Sequence, residues 1–219
     1  MDSRFYTPEH RALQDEFDTR RMADLMESHI AHDALSDVEQ AFIASLDLFF
    51  LSTVDLDGYP TVSHKGGLPG FVRVLNARTF VFPSYDGNGM FFSMGNIAAA
   101  AKVGFLFIDF ETPNRLRVQG RATIERQHAL LPDYPEAQFL VQVAVERVWL
   151  NCPRYVHRRA KAETSKYVPQ RGCETPVPAW KRIDLVQEAL PKRDQGRADA
   201  LGGLITMDQY GEKLMSGDA

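Results

Sequence analysis

Apolar and polar residues change their spacing near residue 48, and this change divides the chain. Before it, Leu13, Phe17, Leu25 and Met26 recur at roughly helical intervals. After it, short segments alternate apolar and polar residues, which is typical of half-buried β-strands; residues 115–125 show the cleanest alternation. The pattern predicts a helical start followed by a series of strands.

Capping signals support the helical start. Thr7 precedes Pro8 at the first helical position, and Ser36 is followed three residues later by Glu39. We therefore predict an N-terminal helical extension over residues 1–35 and the start of the main domain at residue 36.

Short strands are expected from residue 48 to about residue 150. Turn residues such as Asp55–Gly58 separate them, and one brief helix is expected over Met90–Ala101. Six or so strands with little helix between them indicate a mainly β (β+α) fold, a small antiparallel barrel with flanking helices. The barrel domain is placed at residues 36–158.

Beyond residue 158 the alternation weakens, and residues 159–219 are predicted to form a C-terminal extension. A short basic helix is expected within Pro153–Thr164 and a last helix over Trp180–Leu190. The final stretch, Leu201–Ala219, resembles a peripheral tail.

Composition narrows the classes of function. The chain has 219 residues and a net charge of −4, which argues against a nucleic-acid-binding protein. It has two cysteines, which we expect to be reduced, and no apolar run of membrane-spanning length. We therefore expect a cytoplasmic protein without membrane or nucleic-acid partners.

The first candidate site is the loop Ser84–Gly89 with the helix that follows it. The glycines around Asn88 allow neighbouring backbone N–H groups to converge on an anion, and a helix N-terminus adds positive potential. Ser84 and Ser93 offer hydroxyl donors. A phosphate cradle and an ordinary flexible turn both fit this sequence.

The second candidate is Lys65, at the end of a predicted strand. Strand alternation places Ser63 and Lys65 on one face and His64 on the other. Lys65 is either a solvated cation or a point charge for a phosphate. The following Gly66 and Gly67 would let a flat ligand approach the backbone.

The third candidate is the polar face of residues 115–121, with Arg115, Arg117, Gln119 and Arg121. It either faces solvent or forms a subunit interface that closes over a planar anion. No nucleophile motif, zinc-protease motif or dinucleotide fingerprint is present.

These segments together resemble the pyridoxamine 5'-phosphate oxidase-like family. The resemblance covers about residues 42–158 and is carried by PTVSHKGG, FVFPSYDGNGMFFSMGNI, KVGFLFIDF and RLRVQGRATI. The later VWLNCPRYVHR is similar to the flavin-nucleotide-binding branch. The resemblance implies a six-stranded antiparallel split β-barrel, a homodimer, and FMN bound at the subunit interface.

Carried over residue by residue, the resemblance also implies the cofactor contacts. The FMN-binding residues would be Val62, Ser63, His64, Lys65, Ser84, Tyr85, Asn88, Gly89, Ser93 and Asn96, with Arg115, Arg117 and Gln119 from the partner subunit.

The sequence departs from true pyridoxamine phosphate oxidases at two places. Lys65 stands alone where they carry an arginine-rich motif, and Trp180–Asp184 lacks their C-terminal signature. We therefore expect an FMN-dependent oxidoreductase of unassigned substrate. The alternatives are a non-catalytic flavin- or haem-binding protein and a deazaflavin-dependent reductase.

Overall fold

The computed structural model describes residues 5–152, 154–160 and 163–217. Two compact units divide the chain, Met1–Glu163 and Thr164–Ala219. Part of the basic helix expected within Pro153–Thr164 falls outside the described residues, and those described there, 154–160 and 163–164, contain no helix. In the described part of the chain, every helix is too short or too polar to cross a membrane.

Three helices open the first unit: α1 (Pro8–Glu16), α2 (Arg20–Ile30) and α3 (Asp37–Ser45). Thr7 caps α1 with Pro8 in its first turn, and Ser36 forms a capping box with Glu39 at α3. The capping signals therefore place these helix starts correctly.

A single antiparallel sheet of seven strands forms the centre of this unit, in the order β2-β1-β5-β6-β7-β4-β3. Helix α4 (Phe92–Ala100) lies between β4 and β5 in the sequence. The strands are β1 (Leu48–Val54), β2 (Pro60–Gly66), β3 (Arg73–Asn76), β4 (Thr79–Ser84), β5 (Lys102–Asp109), β6 (Asn114–Glu125) and β7 (Phe139–Leu150).

The sheet has seven strands, one more than the six expected from the sequence. The short β3 pairs with β4 and adds a seventh strand. Among the described residues, the end strands β2 and β3 are not paired with each other, so the sheet is not a closed barrel. The broader expectation of a mainly antiparallel β fold with helices is confirmed.

The inner face of the sheet carries an aromatic core. The Phe49 ring meets the Phe82 ring edge-on at 5.1 Å between centroids and lies against Phe105 and Phe107. All four are buried. This core fixes which face of each strand is internal, because alternate side chains point to opposite faces.

The second unit is built from short helical turns around a small core of Ala179, Ile183 and Ile205. The helix expected over Trp180–Leu190 is present as two 3₁₀ helices, Ala179–Arg182 and Asp184–Ala189, and it is not the last helix. Pro191 favours extended backbone at Leu190, which ends the second helix. The expected tail contains α5 (Met207–Ser216).

Candidate functional site

A cavity of about 280 Å³ opens where β2, the end of β4 and the first turn of α4 meet. Its walls combine one lysine with hydroxyl, amide, glycine and apolar residues. They are Ser63, Lys65, Ser84, Tyr85, Gly87, Asn88, Gly89, Met90, Phe91, Phe92, Ser93 and Met94. The strand end and the loop that the sequence singled out therefore line one cavity, although they are about twenty residues apart.

Strand β2 brings Ser63 and Lys65 to this cavity. They lie opposite Leu51 and Phe49 of β1, so they share the inner face of the sheet. Val62 and His64 point to the other face, where the His64 ring meets the Phe50 ring at 6.0 Å. Of the four residues expected from this strand, the structure places Ser63 and Lys65 in the cavity and the other two outside it.

Lys65 is half-buried in the cavity wall. Among the described residues, its ammonium group donates no hydrogen bond and forms no ion pair. Burial lowers the pKa of Lys65 below its ordinary value of 10.5. A buried charge without a counterion is costly, and an anion in the cavity would supply the missing partner.

The first turn of α4 forms the facing wall. Its N-cap residue is Phe91, which provides no side-chain acceptor for the first-turn amides. These amides belong to Phe92, Ser93 and Met94, which all line the cavity. The Ser93 hydroxyl also lies 3.1 Å from the Ser63 hydroxyl. The positive end of the helix, two hydroxyls and an ammonium group thus converge on one space.

Phe91 adopts a left-handed conformation, with φ 48° and ψ 27°. This conformation costs a bulky residue roughly 1–2 kcal/mol. The Phe91 ring stacks on the Phe139 ring at 6.5 Å between centroids. The stacking helps to hold the turn that directs the first amides of α4 toward the cavity.

The loop before α4 contributes residues of different kinds. Burial raises the pKa of Tyr85, and the Glu136 carboxylate raises it further, so the phenol stays neutral and can donate. The Asn88 side chain accepts a hydrogen bond from the Met90 amide at 3.1 Å. Asn88 therefore shapes the loop. Gly89 has a φ of 78°, which glycine adopts without strain.

The glycine pair after Lys65 has a local explanation. A Cβ atom on Gly67 would lie 2.4 Å from Cγ of Phe71, and one on Gly66 would lie 2.9 Å from the His64 ring. Side chains of the same chain occupy the space beside both glycines. Packing therefore requires glycine at position 67, where the buried Phe71 ring fills the space, whereas the exposed His64 ring could move away from a side chain at position 66.

Asn96 lies one turn farther along α4 and does not line the cavity. Its side-chain amide donates to the Thr53 hydroxyl at 3.1 Å. The family resemblance implies a cofactor contact for Asn96, whereas the structure joins it to β1.

Arg117 and Gln119 lie on the outer face of the sheet, opposite the face that carries Lys65. Arg117 is aligned with Leu106 of β5 and Trp149 of β7 across neighbouring strands. Arg115, on the same face, donates to the carbonyl of Cys152. Within one chain these three residues are not brought to the cavity.

Four cavity residues were not predicted from the sequence as ligand contacts: Met90, Phe91, Phe92 and Met94. The apolar run directly after the glycine loop was the available signal. This run predicted a helix, but the sequence pattern gave no sign that the first turn of this helix would lie beside β2.

The sequence from residue 35 to residue 152 matches the family model described as pyridoxamine 5'-phosphate oxidase. This match spans more than half of the chain, so the chain belongs to that family. No curated protein matches the sequence.

Solved structures that are similar to part of the chain share little sequence with it. HupZ from Group A Streptococcus is 19% identical, with 57% of this chain and 100% of HupZ covered and a TM-score of 0.44. An FMN-binding protein from Syntrophomonas wolfei is 12% identical, with 64% of this chain and 95% of that protein covered and a TM-score of 0.39. HutZ, a haem storage protein from Vibrio cholerae, is 17% identical, with 50% of this chain and 89% of HutZ covered and a TM-score of 0.37. The family assignment rests on the sequence match.

Proposed function

We propose that the Lys65 cavity binds the phosphate of FMN and that the chain is an FMN-dependent oxidoreductase. The observation that carries this proposal is Lys65 itself, a half-buried cation that faces the uncapped first turn of α4. A phosphate monoester would satisfy both, because it supplies negative charge and several acceptor oxygens. Family membership makes a flavin the natural source of that phosphate.

Each group in the cavity has a distinct part in binding. The Lys65 ammonium offsets part of the phosphate charge, and the first-turn amides of α4 donate to its oxygens. The hydroxyls of Ser63 and Ser93 can turn from each other toward the phosphate. Tyr85, kept neutral by its raised pKa, is a further donor.

Exposed apolar residues at the cavity mouth suit the flat part of the cofactor. Met90 is 66% exposed and Phe92 is 53% exposed, directly beside the phosphate-binding groups. FMN, when bound, supplies hydride and electron transfer. The chain's own role is to hold the phosphate, orient the ring and exclude water from part of it.

We further propose that the protein works as a homodimer. Arg115, Arg117 and Gln119 lie on the face of the sheet away from the cavity, so they can reach a flavin only if a second copy supplies them. Sedimentation analysis of the protein with and without FMN tests this part. A monomer at all concentrations would contradict it.

The main experiment is to denature purified protein and identify the released chromophore by chromatography and mass spectrometry. We expect FMN, and we expect riboflavin to bind more weakly because it lacks the phosphate. Protein that fails to take up added FMN, or that takes up haem in preference to it, would contradict the proposal. Reduction of the bound flavin by NADH or NADPH then separates an enzyme from a binding protein.

A further inference from the structure

Helix α4 packs on the sheet through two buried apolar side chains, Met94 and Ile97, which belong to the main hydrophobic core. Its buried residues are Ser93, Met94 and Ile97, while Gly95 and the run 98–100 of alanines add little side-chain volume. Apolar contacts are not directional, whereas a hydrogen bond fixes both distance and angle. The polar contacts of α4 with the sheet therefore add a defined distance and angle to the placement that the packing of Met94 and Ile97 provides.

Two polar contacts tie α4 to adjacent strands. The Ser93 hydroxyl meets Ser63 of β2 at 3.1 Å, and one turn later the Asn96 amide donates to Thr53 of β1 at 3.1 Å. Residues three apart lie on the same side of a helix, so both contacts face the sheet. Thr53 is only 1% exposed, which makes this second contact a buried one.

The two contacts differ in what a bound phosphate would do to them. Ser63 and Ser93 both line the cavity, so a phosphate competes for their hydroxyls. Thr53 and Asn96 lie outside the cavity, and their hydrogen bond is available with and without ligand. The contact that persists is therefore the one between Thr53 and Asn96.

We propose that the Thr53–Asn96 hydrogen bond is a positioning contact that holds the first turn of α4 against Lys65 for phosphate binding. The inference rests on the proposed phosphate site and assigns Asn96 a role other than direct cofactor contact. Without this bond, α4 can turn or slide, and the amides of Phe92 and Ser93 lose their alignment with the Lys65 ammonium group.

Substitutions at Thr53 test the role without altering any cavity residue. Thr53→Val removes the acceptor and keeps the shape, Thr53→Ser keeps the acceptor, and Asn96→Ala removes the donor. Thr61→Val is the matched control: Thr61 lies directly opposite Thr53 on the same face and, within the described residues, makes no hydrogen bond to α4. The measurement is the dissociation constant of FMN and of riboflavin, from flavin fluorescence.

We expect Thr53→Val and Asn96→Ala each to weaken FMN binding by about fivefold to tenfold, the effect of one lost hydrogen bond. Riboflavin binding should change much less, since it has no phosphate to align. Thr53→Ser should restore FMN affinity, and Thr61→Val should leave it unchanged. The double variant should lose no more than either single variant, because both remove the same contact.

Other results would distinguish a direct contact of Asn96 with the cofactor, a general loosening of the fold and a failure of the proposed function. If Asn96→Ala weakens FMN binding and Thr53→Val does not, Asn96 contacts the cofactor directly and the positioning role is wrong. Equal losses for FMN and riboflavin would show general loosening of the fold and would also overturn it. If the wild-type protein binds neither FMN nor inorganic phosphate, the proposed function itself fails, together with this inference.

Discussion

Replacing Lys65 with methionine removes a charge while keeping most of the side-chain length. The substitution has two consequences of opposite sign, because the ammonium group is half-buried without an ion-pair partner among the described residues. It should weaken the binding of a phosphate and strengthen the fold of the ligand-free protein. Few alternative roles for Lys65 predict both results.

The loss of binding can be estimated from the contact that is removed. A hydrogen bond to a charged group contributes about 1.5–3 kcal/mol. Since 1.4 kcal/mol corresponds to a factor of ten, FMN should bind about tenfold to a hundredfold more weakly. Riboflavin, which has no phosphate, should bind the wild-type and variant proteins almost equally.

The gain in stability depends on pH. Burial lowers the pKa of Lys65 below 10.5, so in the window between the lowered value and 10.5 the unfolded chain holds the proton and the folded chain does not. The free energy of unfolding of the wild-type protein therefore rises with pH across this window. Methionine does not titrate, so the advantage of Lys65→Met is fully present below the lowered pKa and shrinks toward pH 10.5.

Denaturant unfolding at several pH values, with flavin titrations, measures both effects. Lys102→Met is the matched control, since Lys102 is an exposed lysine at the start of β5. Unchanged FMN affinity in Lys65→Met would remove Lys65 from the phosphate site. A ligand-free variant less stable than the wild-type protein near neutral pH would refute the argument from burial.

Three further substitutions test the packing described above by thermal and denaturant unfolding. Gly67→Ala should destabilise the fold by about 1–3 kcal/mol, because its Cβ would lie 2.4 Å from the Phe71 ring; wild-type stability would contradict this. Gly95→Ala should stabilise the fold by about 0.5–1 kcal/mol, since nothing lies within 4 Å of an added Cβ in α4. A loss of stability would show that the added methyl group clashes with its surroundings. Tyr134→Phe should stabilise the fold by about 1 kcal/mol, because the buried hydroxyl has no hydrogen-bond partner among the described residues. A loss of stability would show that the hydroxyl has a partner in solution.

Local patterns in the sequence predicted local structure well. The N-cap at Thr7 and the capping box at Ser36 mark real helix starts, and the alternation in residues 115–125 matches β6. The split of Ser63 and Lys65 from His64 was also predictable, because side chains alternate along a strand. Each of these features depends on a few neighbouring residues.

Features that depend on distant parts of the chain were not predictable. The left-handed conformation of Phe91 is supported by Phe139, far away in the sequence. The family resemblance implied a cofactor contact for Asn96, and nothing in the sequence pairs this residue with Thr53. Arg117 could be assigned to a polar face, but only the order of the strands shows that this face is opposite Lys65.

Strand β2 lies at one end of the sheet, and within the described residues it pairs with β1 alone. Half of its backbone amides therefore lack a neighbouring strand, and such a strand opens more readily than the central ones. Because β2 also carries Lys65 and Ser63, ligand occupancy should be visible as slower amide hydrogen exchange in β2. An end strand of the sheet would thus report on binding through its hydrogen exchange.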